Sequence, residues 1–125
     1  PKLAVAVVIE RDGAVLMGRR LNEPGRGRWS LPAGYVDRGE TVEGAAIREA
    51  REELAVEVEL GRLVGLYSTE GEVVILAVYT ASILRGDPAA GDDLDAVGYF
   101  AADDAPPLAF PRDREILADW RRGIP

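Results

Sequence analysis

The segment GYVDRGETVEGAAIREAREELAV, residues 34–56, decides the fold, because it predicts a loop that leads into a helix carrying several acidic side chains. Glu49, Glu52 and Glu53 are spaced i, i+3 and i+4, so they lie on one side of that helix. Three like charges this close repel one another unless arginines pair with them or a divalent cation neutralises them. Both solutions stay open here, since solvated faces rich in Glu and Arg are common on helices.

The same helix carries an apolar stripe that predicts which side faces the core. At about 100° per residue, Glu53 falls at the edge of this stripe, so its carboxylate should be partly buried. The stripe consists of five apolar residues, Val42, Ala46, Ile47, Ala50 and Leu54.

The rest of the chain alternates apolar, β-branched segments with turn signals and one further helix. We predict strands at Leu3–Ile9, Ala14–Met17, Glu57–Tyr67, Val73–Leu84 and Val97–Ala101, helices at Thr41–Leu54 and from Pro111 or Arg112 to about Gly123, and loops at 21–27 and 85–95. This order predicts a single α/β domain over residues 1–125, with a mixed β-sheet between helices.

Composition excludes several kinds of site. The chain has no cysteine and no histidine, which rules out thiol nucleophiles, a histidine base and zinc bound by either residue. Any bound metal must therefore have oxygen ligands, which favours Mg²⁺, with Mn²⁺ possible. The net charge of −7 argues against nucleic acid as a partner. No apolar run is long enough for a membrane span, and the N-terminal residues lack the features of a signal peptide, so we expect a cytoplasmic protein.

Residues 34–56 closely resemble the Nudix box, G-x5-E-x7-R-E-U-x-E-E-x-G-U with U apolar. Gly34, Glu40 and the run that begins at Arg48 match its fixed positions. Ala55 is the one departure, standing where the family has glycine. That glycine suits a left-handed helix C-cap, so alanine there costs about 1 kcal/mol if the conformation is kept. The segment before the box, Trp29 to Gly34, and the order of strands and helices also resemble the family.

The resemblance implies an α/β/α sandwich that binds Mg²⁺ and the diphosphate of a nucleotide. Glu49 and Glu53 would be the main metal ligands, Glu52 a ligand or general base, and the carbonyl of Gly34 a further ligand. By the same resemblance, Glu40 and Arg48 would orient the glutamates. Asp93, six residues before Tyr99, resembles a base outside the box found in several branches, although it could equally serve only to solubilise an acidic loop.

The substrate is predicted less sharply than the reaction. Arg20, Arg26 and Arg28 form a basic stretch just before the box, and they could bind phosphate or simply be solvated. Two loops are expected beside the box, a basic loop at residues 21–28 and an acidic loop at residues 85–95. Two such loops favour a nucleoside diphosphate linked to a second group as the substrate, with ADP-ribose as the first candidate. The alternatives are a nucleoside triphosphate or an oxidised one, and, in another class, a Nudix-fold sensor that binds nucleotides without cutting them. Family resemblance also allows a homodimer.

Overall fold

The computed structural model describes residues 1–123, which form seven strands and two helices. The elements in chain order are β1 (Lys2–Arg11), β2 (Ala14–Arg20), β3 (Trp29–Ser30), β4 (Ala33–Tyr35), α1 (Val42–Leu54), β5 (Glu57–Ser68), β6 (Val74–Arg85), β7 (Leu94–Ala101) and α2 (Pro111–Arg122).

The strands form one mixed sheet with β1 at its centre. The main path runs β3-β2-β1-β6-β5, while β4 pairs with β1 and β7 pairs with β2. The β1–β6 pair is parallel and the other pairs are antiparallel. Because β1 is buried on both faces, its sequence is a continuous apolar run rather than an alternating one.

The two helices cover opposite faces of this sheet. Val5, Val7 and Ile9 of β1 pack in one core cluster with the apolar side of α1, and Ala4, Ala6 and Val8 pack in a second cluster with α2. Side chains of a strand alternate between its two faces, so one strand serves both clusters. The predicted α/β/α sandwich with a mixed sheet is confirmed.

Pairing extends several elements beyond the predicted bounds. The strand predicted at Ala14–Met17 continues to Arg20, and the strand predicted at Val97–Ala101 begins at Leu94, because β2 and β7 pair from Ala14↔Ala101 to Arg20↔Leu94. The loop predicted at 85–95 is shortened to residues 86–93, whereas the loop predicted at 21–27 is present and includes Arg28 as well. Cross-strand hydrogen bonds of this kind depend on a partner distant in sequence, which local propensity does not include. The strands β3 and β4, which the sequence analysis did not predict, are only two and three residues long.

Both ends of α1 follow from local side-chain chemistry. The Thr41 hydroxyl accepts a hydrogen bond from the backbone N–H of Gly44 at 2.9 Å, which is a standard N-cap. At the other end, Ala55 adopts the left-handed conformation, with φ 61° and ψ 30°, and its N–H donates to the carbonyl of Arg51. The alanine therefore keeps the backbone geometry for which the box normally uses glycine.

We predict that Ala55→Gly stabilises the protein by about 1 kcal/mol, because glycine adopts positive φ without the steric cost that the alanine Cβ imposes. Urea unfolding of both proteins measures the difference. Ala46→Gly, the same substitution in the helix interior, should instead destabilise the protein by at least about 1 kcal/mol, because it lowers helix propensity and also removes a buried methyl group. An Ala55→Gly variant no more stable than the parent would contradict a strained C-cap.

Candidate functional site

The carboxylates of α1 open onto a cleft formed by three separate segments. The cleft has a volume of about 490 Å³, and its walls come from β4, from α1 and from the loop that precedes β7. It is lined by Ala33, Gly34, Tyr35, Glu49, Glu52, Glu53, Gly91, Asp92 and Asp93. The fold thus brings Asp93 beside the helix glutamates, which lie some forty positions earlier in the chain.

Glu53 is half-buried at the bottom of this arrangement. Its Oε2 accepts a hydrogen bond from the backbone N–H of Ala33 at 2.7 Å. Burial, with a smaller contribution from the charges of Glu49 and Asp93, raises the pKa of Glu53 to about 8, against the opposing effects of the Ala33 N–H and of Arg20. Without a cation in the cleft, this carboxyl group is therefore largely protonated at neutral pH.

Glu49 lies against Gly34, and the contact explains why position 34 is glycine. Glu49 is only 9 % exposed, and a Cβ added to Gly34 would overlap its carboxyl group. Burial raises the pKa of Glu49, while its hydrogen bond from Arg48 acts in the opposite direction. The sequence analysis considered only the carbonyl of Gly34, whereas the structure adds a steric requirement at the same residue.

Arg48 links the residues that were predicted to orient the glutamates. Its Nε donates to Glu40 at 2.7 Å, and its Nη1 donates to Glu49 at 2.8 Å and to Glu52 at 3.2 Å. Its Nη2 donates to the carbonyl of Tyr35 at 3.0 Å. The hydrogen bond from Arg48 lowers the pKa of Glu40 to about 2. One guanidinium therefore holds α1 against β4 and sets the positions of two of the three glutamates.

The donor set fits a hard divalent cation, although the side chains are not drawn together around one point. Within residues 1–123, no group of three or more acidic side chains is arranged to hold a metal ion. Instead Arg48 bonds to Glu49 and Glu52, while Glu53 accepts only a backbone N–H in the described structure. Half-buried carboxylates with raised pKa values beside a backbone carbonyl are the kind of oxygen ligands that Mg²⁺ accepts.

Gly91 places the acidic loop beside the cleft. Its N–H donates to the carbonyl of Glu53 at 2.9 Å, and the N–H of Ala89 donates to the carbonyl of Leu54 at 3.0 Å. These carbonyls lie in the last turn of α1 and have no partner within the helix. A Cβ on Gly91 would overlap the carbonyl of Glu52, so the loop can lie this close only because residue 91 is glycine. This role was not predicted from the sequence, in which the glycine itself is the only signal for it.

The arginines that were predicted to bind substrate do not line the cleft. Arg20 stacks over Phe110 at 5.1 Å and its charge acts on Glu53, so it lies near the cleft without being among its lining residues. Arg26 and Arg28 are exposed in the loop between β2 and β3, and neither lines the cleft as the structure describes it. The loop itself is connected to the acidic loop, because the N–H of Leu21 donates to the carbonyl of Asp93 at 3.0 Å.

No helix in the described part of the chain is long and apolar enough to cross a membrane.

The chain is similar to known proteins over nearly its whole length. The family model described as the NUDIX domain matches residues 1–120. Over 127 aligned residues and 98 % of this chain, the sequence is 35 % identical to an ADP-ribose pyrophosphatase of Methanocaldococcus jannaschii, covering 74 % of that protein. It is also 35 % identical to a putative 8-oxo-dGTP diphosphatase 2 of Mycobacterium tuberculosis, again over 98 % of this chain, with 90 % of that protein covered.

Among solved structures, a NUDIX hydrolase from Nitrosomonas europaea superposes with a TM-score of 0.90 at 29 % identity, over 100 % of this chain and 74 % of that one. The box residues, the sandwich fold and these matches lead to one conclusion. The chain belongs to the Nudix family and is a Nudix pyrophosphohydrolase.

Proposed function

We propose that this protein hydrolyses a phosphoanhydride bond in a nucleoside diphosphate linked to a second group, with ADP-ribose as the first candidate. The observation that carries the proposal is the cleft, in which carboxylates of α1 and of the loop before β7 line the same space. The loop before β7 accepts a hydrogen bond from the loop at 21–28, through the N–H of Leu21 and the carbonyl of Asp93. A substrate with a moiety on each side of its diphosphate would have one of these two loops beside each moiety. The products from ADP-ribose would be AMP and ribose 5-phosphate.

The residues that would hold the required cation are Glu49, Glu52, Glu53 and the carbonyl of Gly34. Nudix hydrolases are generally dependent on a divalent metal. When bound, Mg²⁺ or Mn²⁺ would neutralise phosphate oxygens and favour the attack of water on phosphorus. Arg48, held by Glu40, would keep Glu49 and Glu52 directed into the cleft.

The proton of the attacking water must pass to a carboxylate in the cleft. Glu52 and Asp93 both line the cleft and both are exposed to solvent, so either can accept that proton. Glu53 is less suited to this role without a cation, because burial keeps it protonated at neutral pH. We therefore assign Glu53 and Glu49 to cation binding, with Glu52 or Asp93 as the general base.

A second candidate function is the hydrolysis of nucleoside triphosphates, including oxidised ones. It is supported by the putative 8-oxo-dGTP diphosphatase, which has the same 35 % identity to this chain as the ADP-ribose pyrophosphatase. Identity therefore does not separate the two substrates. The pair of hydrogen-bonded loops beside the box is our reason for placing ADP-ribose first.

Activity should require Mg²⁺ or Mn²⁺ and should disappear in EDTA. Because Glu53 is assigned to cation binding, Glu53→Gln should lower kcat by roughly 10²–10⁴. Hydrolysis is followed by chromatography of the products. Glu57→Gln is a matched control, because Glu57 is paired with Arg51 at the surface and lies outside the cleft. Full turnover in metal-free buffer, or an unaffected Glu53→Gln enzyme, would exclude this metal site.

The pH dependence of metal binding follows from Glu53. Because its pKa is raised to about 8, cation binding must displace a proton at neutral pH, so the apparent Mg²⁺ affinity should increase from pH 6 to about pH 8 and then level off. Calorimetric titration at several pH values measures this. In Glu53→Gln the residual affinity should change less over the same range, and an equal change would assign the proton to another group.

The contribution of Glu53 to the stability of the metal-free protein should decrease as the pH rises. The folded pKa of Glu53 lies above its unfolded value, so its protonation stabilises the folded state fully below about pH 4.5, and this contribution is lost as the pH rises to 8. In EDTA, the Tm of Glu53→Gln should therefore exceed that of the parent by more at pH 8.5 than at pH 5. A constant Tm difference would contradict the raised pKa.

The substrate assignment is tested by kcat/KM for ADP-ribose against dGTP and 8-oxo-dGTP at equal Mg²⁺. We expect ADP-ribose to be preferred, and a preference for either triphosphate would select the second candidate function.

Replacing Arg26 and Arg28 by alanine should raise KM more than it lowers kcat, since these side chains would bind substrate and transition state alike. Arg11→Ala, an exposed arginine at the end of β1, is the control. An unchanged KM would show that Arg26 and Arg28 are surface charges.

A further inference from the structure

We propose that Asp113 is a positioning residue of this site, which holds the segment 31–34 in place from the helix on the opposite face of the sheet. The inference rests on the proposed function, because it acts through Glu53 and Gly34. Asp113 belongs to α2, outside the cleft, and neither the mechanism above nor the sequence analysis assigns it a role.

Asp113 is a buried acidic residue with an unusual hydrogen-bond partner. It is 3 % exposed and lies in the first turn of α2. Its Oδ2 accepts a hydrogen bond from the backbone N–H of Leu31 at 3.2 Å, across 82 positions of sequence. Burying a carboxylate costs free energy, and here burial raises the pKa of Asp113 to about 6. A buried acid at this point therefore calls for a structural reason.

The backbone around Leu31 supplies that reason. The N–H of Trp29 donates to the carbonyl of Pro107, and the N–H of Ala109 donates to the carbonyl of Trp29, as in a short parallel ladder. Leu31 has the next N–H on that side of the strand. The chain that would supply its acceptor turns away into α2 at Pro111. The Asp113 carboxylate takes the place of the missing backbone carbonyl.

The next donor on the same side belongs to the active site. Two residues beyond Leu31, the N–H of Ala33 donates to Glu53 Oε2 at 2.7 Å. Gly34, which follows, packs against Glu49. On this side the segment 31–34 is held by two carboxylates, one from each helix. On its other side, the N–H of Val7 donates to the carbonyl of Pro32, and β4 pairs with β1. If Leu31 lost its acceptor in this buried place, the segment would have to shift to satisfy the free N–H, and the groups facing Glu53 and Glu49 would move with it.

The test compares variants that keep or remove the acceptor. Asp113→Asn keeps a side-chain oxygen that can accept from Leu31, whereas Asp113→Leu and Asp113→Ala remove it. Ile116→Val is the control, because it perturbs a fully buried residue of the same helix and leaves the acceptor of the Leu31 N–H in place. Each protein is titrated with Mn²⁺ alone by calorimetry, and kcat and KM are measured with ADP-ribose and with 8-oxo-dGTP.

We expect Asp113→Leu, or Asp113→Ala if the leucine variant does not fold, to weaken Mn²⁺ binding by roughly tenfold, as losses of groups that orient metal ligands do. The value of kcat should fall by a similar factor, while KM changes less than threefold. Asp113→Asn and Ile116→Val should stay within about threefold of the parent. In a Glu53→Gln background, removal of the Asp113 acceptor should have little further effect, because both changes act through the same ligand.

Three results would overturn the inference. Unchanged Mn²⁺ binding in the acceptor-free variants would show that Asp113 does not position the site. Losses in Asp113→Asn or Ile116→Val as large as in Asp113→Leu would trace the effect to charge or to stability instead. A change in KM that depends on the nucleotide, with Mn²⁺ binding unaltered, would make Asp113 a substrate contact. Failure of the parent itself to bind Mn²⁺ or hydrolyse a nucleotide would refute the proposed function rather than this step.

Discussion

Desolvation of acidic groups along α1 is the constraint on which the rest of the site depends. The apolar side of this helix must pack on the sheet, and Glu49 and Glu53 lie next to that side. Carboxylates in such a position are unfavourable when charged, which is why their pKa values are raised. The fold reduces this cost with one arginine, one backbone N–H and a partly open cleft, but it does not remove it. The remaining cost favours a cation in the cleft.

The backbone segments beside α1 contribute to the site because they pack closely against the helix, and not because they add charge. Gly34 and Gly91 both lie where a Cβ would overlap part of α1, a side chain in the first case and a carbonyl in the second. Glycine therefore lets β4 and the acidic loop reach the helix at van der Waals distance. Both segments then contribute groups to the cleft from a backbone that hydrogen bonds hold in place.

The two helices are coupled through the short strands between them. β3 and β4 are only two and three residues long, and each pairs with the sheet along one side. On the other side, the N–H groups of Trp29, Leu31 and Ala33 donate to the carbonyl of Pro107, to Asp113 and to Glu53. A residue on the far face of the sheet can thus bear on the position of a metal ligand without approaching the substrate.

The sequence by itself determined the features that local chemistry controls. Spacing placed Glu49, Glu52 and Glu53 on one side of a helix, Thr41 capped it, and the box identified the family and the conformation of Ala55. The apolar runs predicted the sandwich, although pairing set the true strand ends. Only the tertiary structure decided that Asp93 and the α1 glutamates share a cleft and that Arg26 and Arg28 lie outside its lining. It also decided that Gly91 packs against the end of α1 and that Asp113 accepts a hydrogen bond from Leu31. The physical reason is that these contacts join residues tens of positions apart. No periodicity or propensity within one segment carries information about which distant backbone N–H or carbonyl will lie beside it.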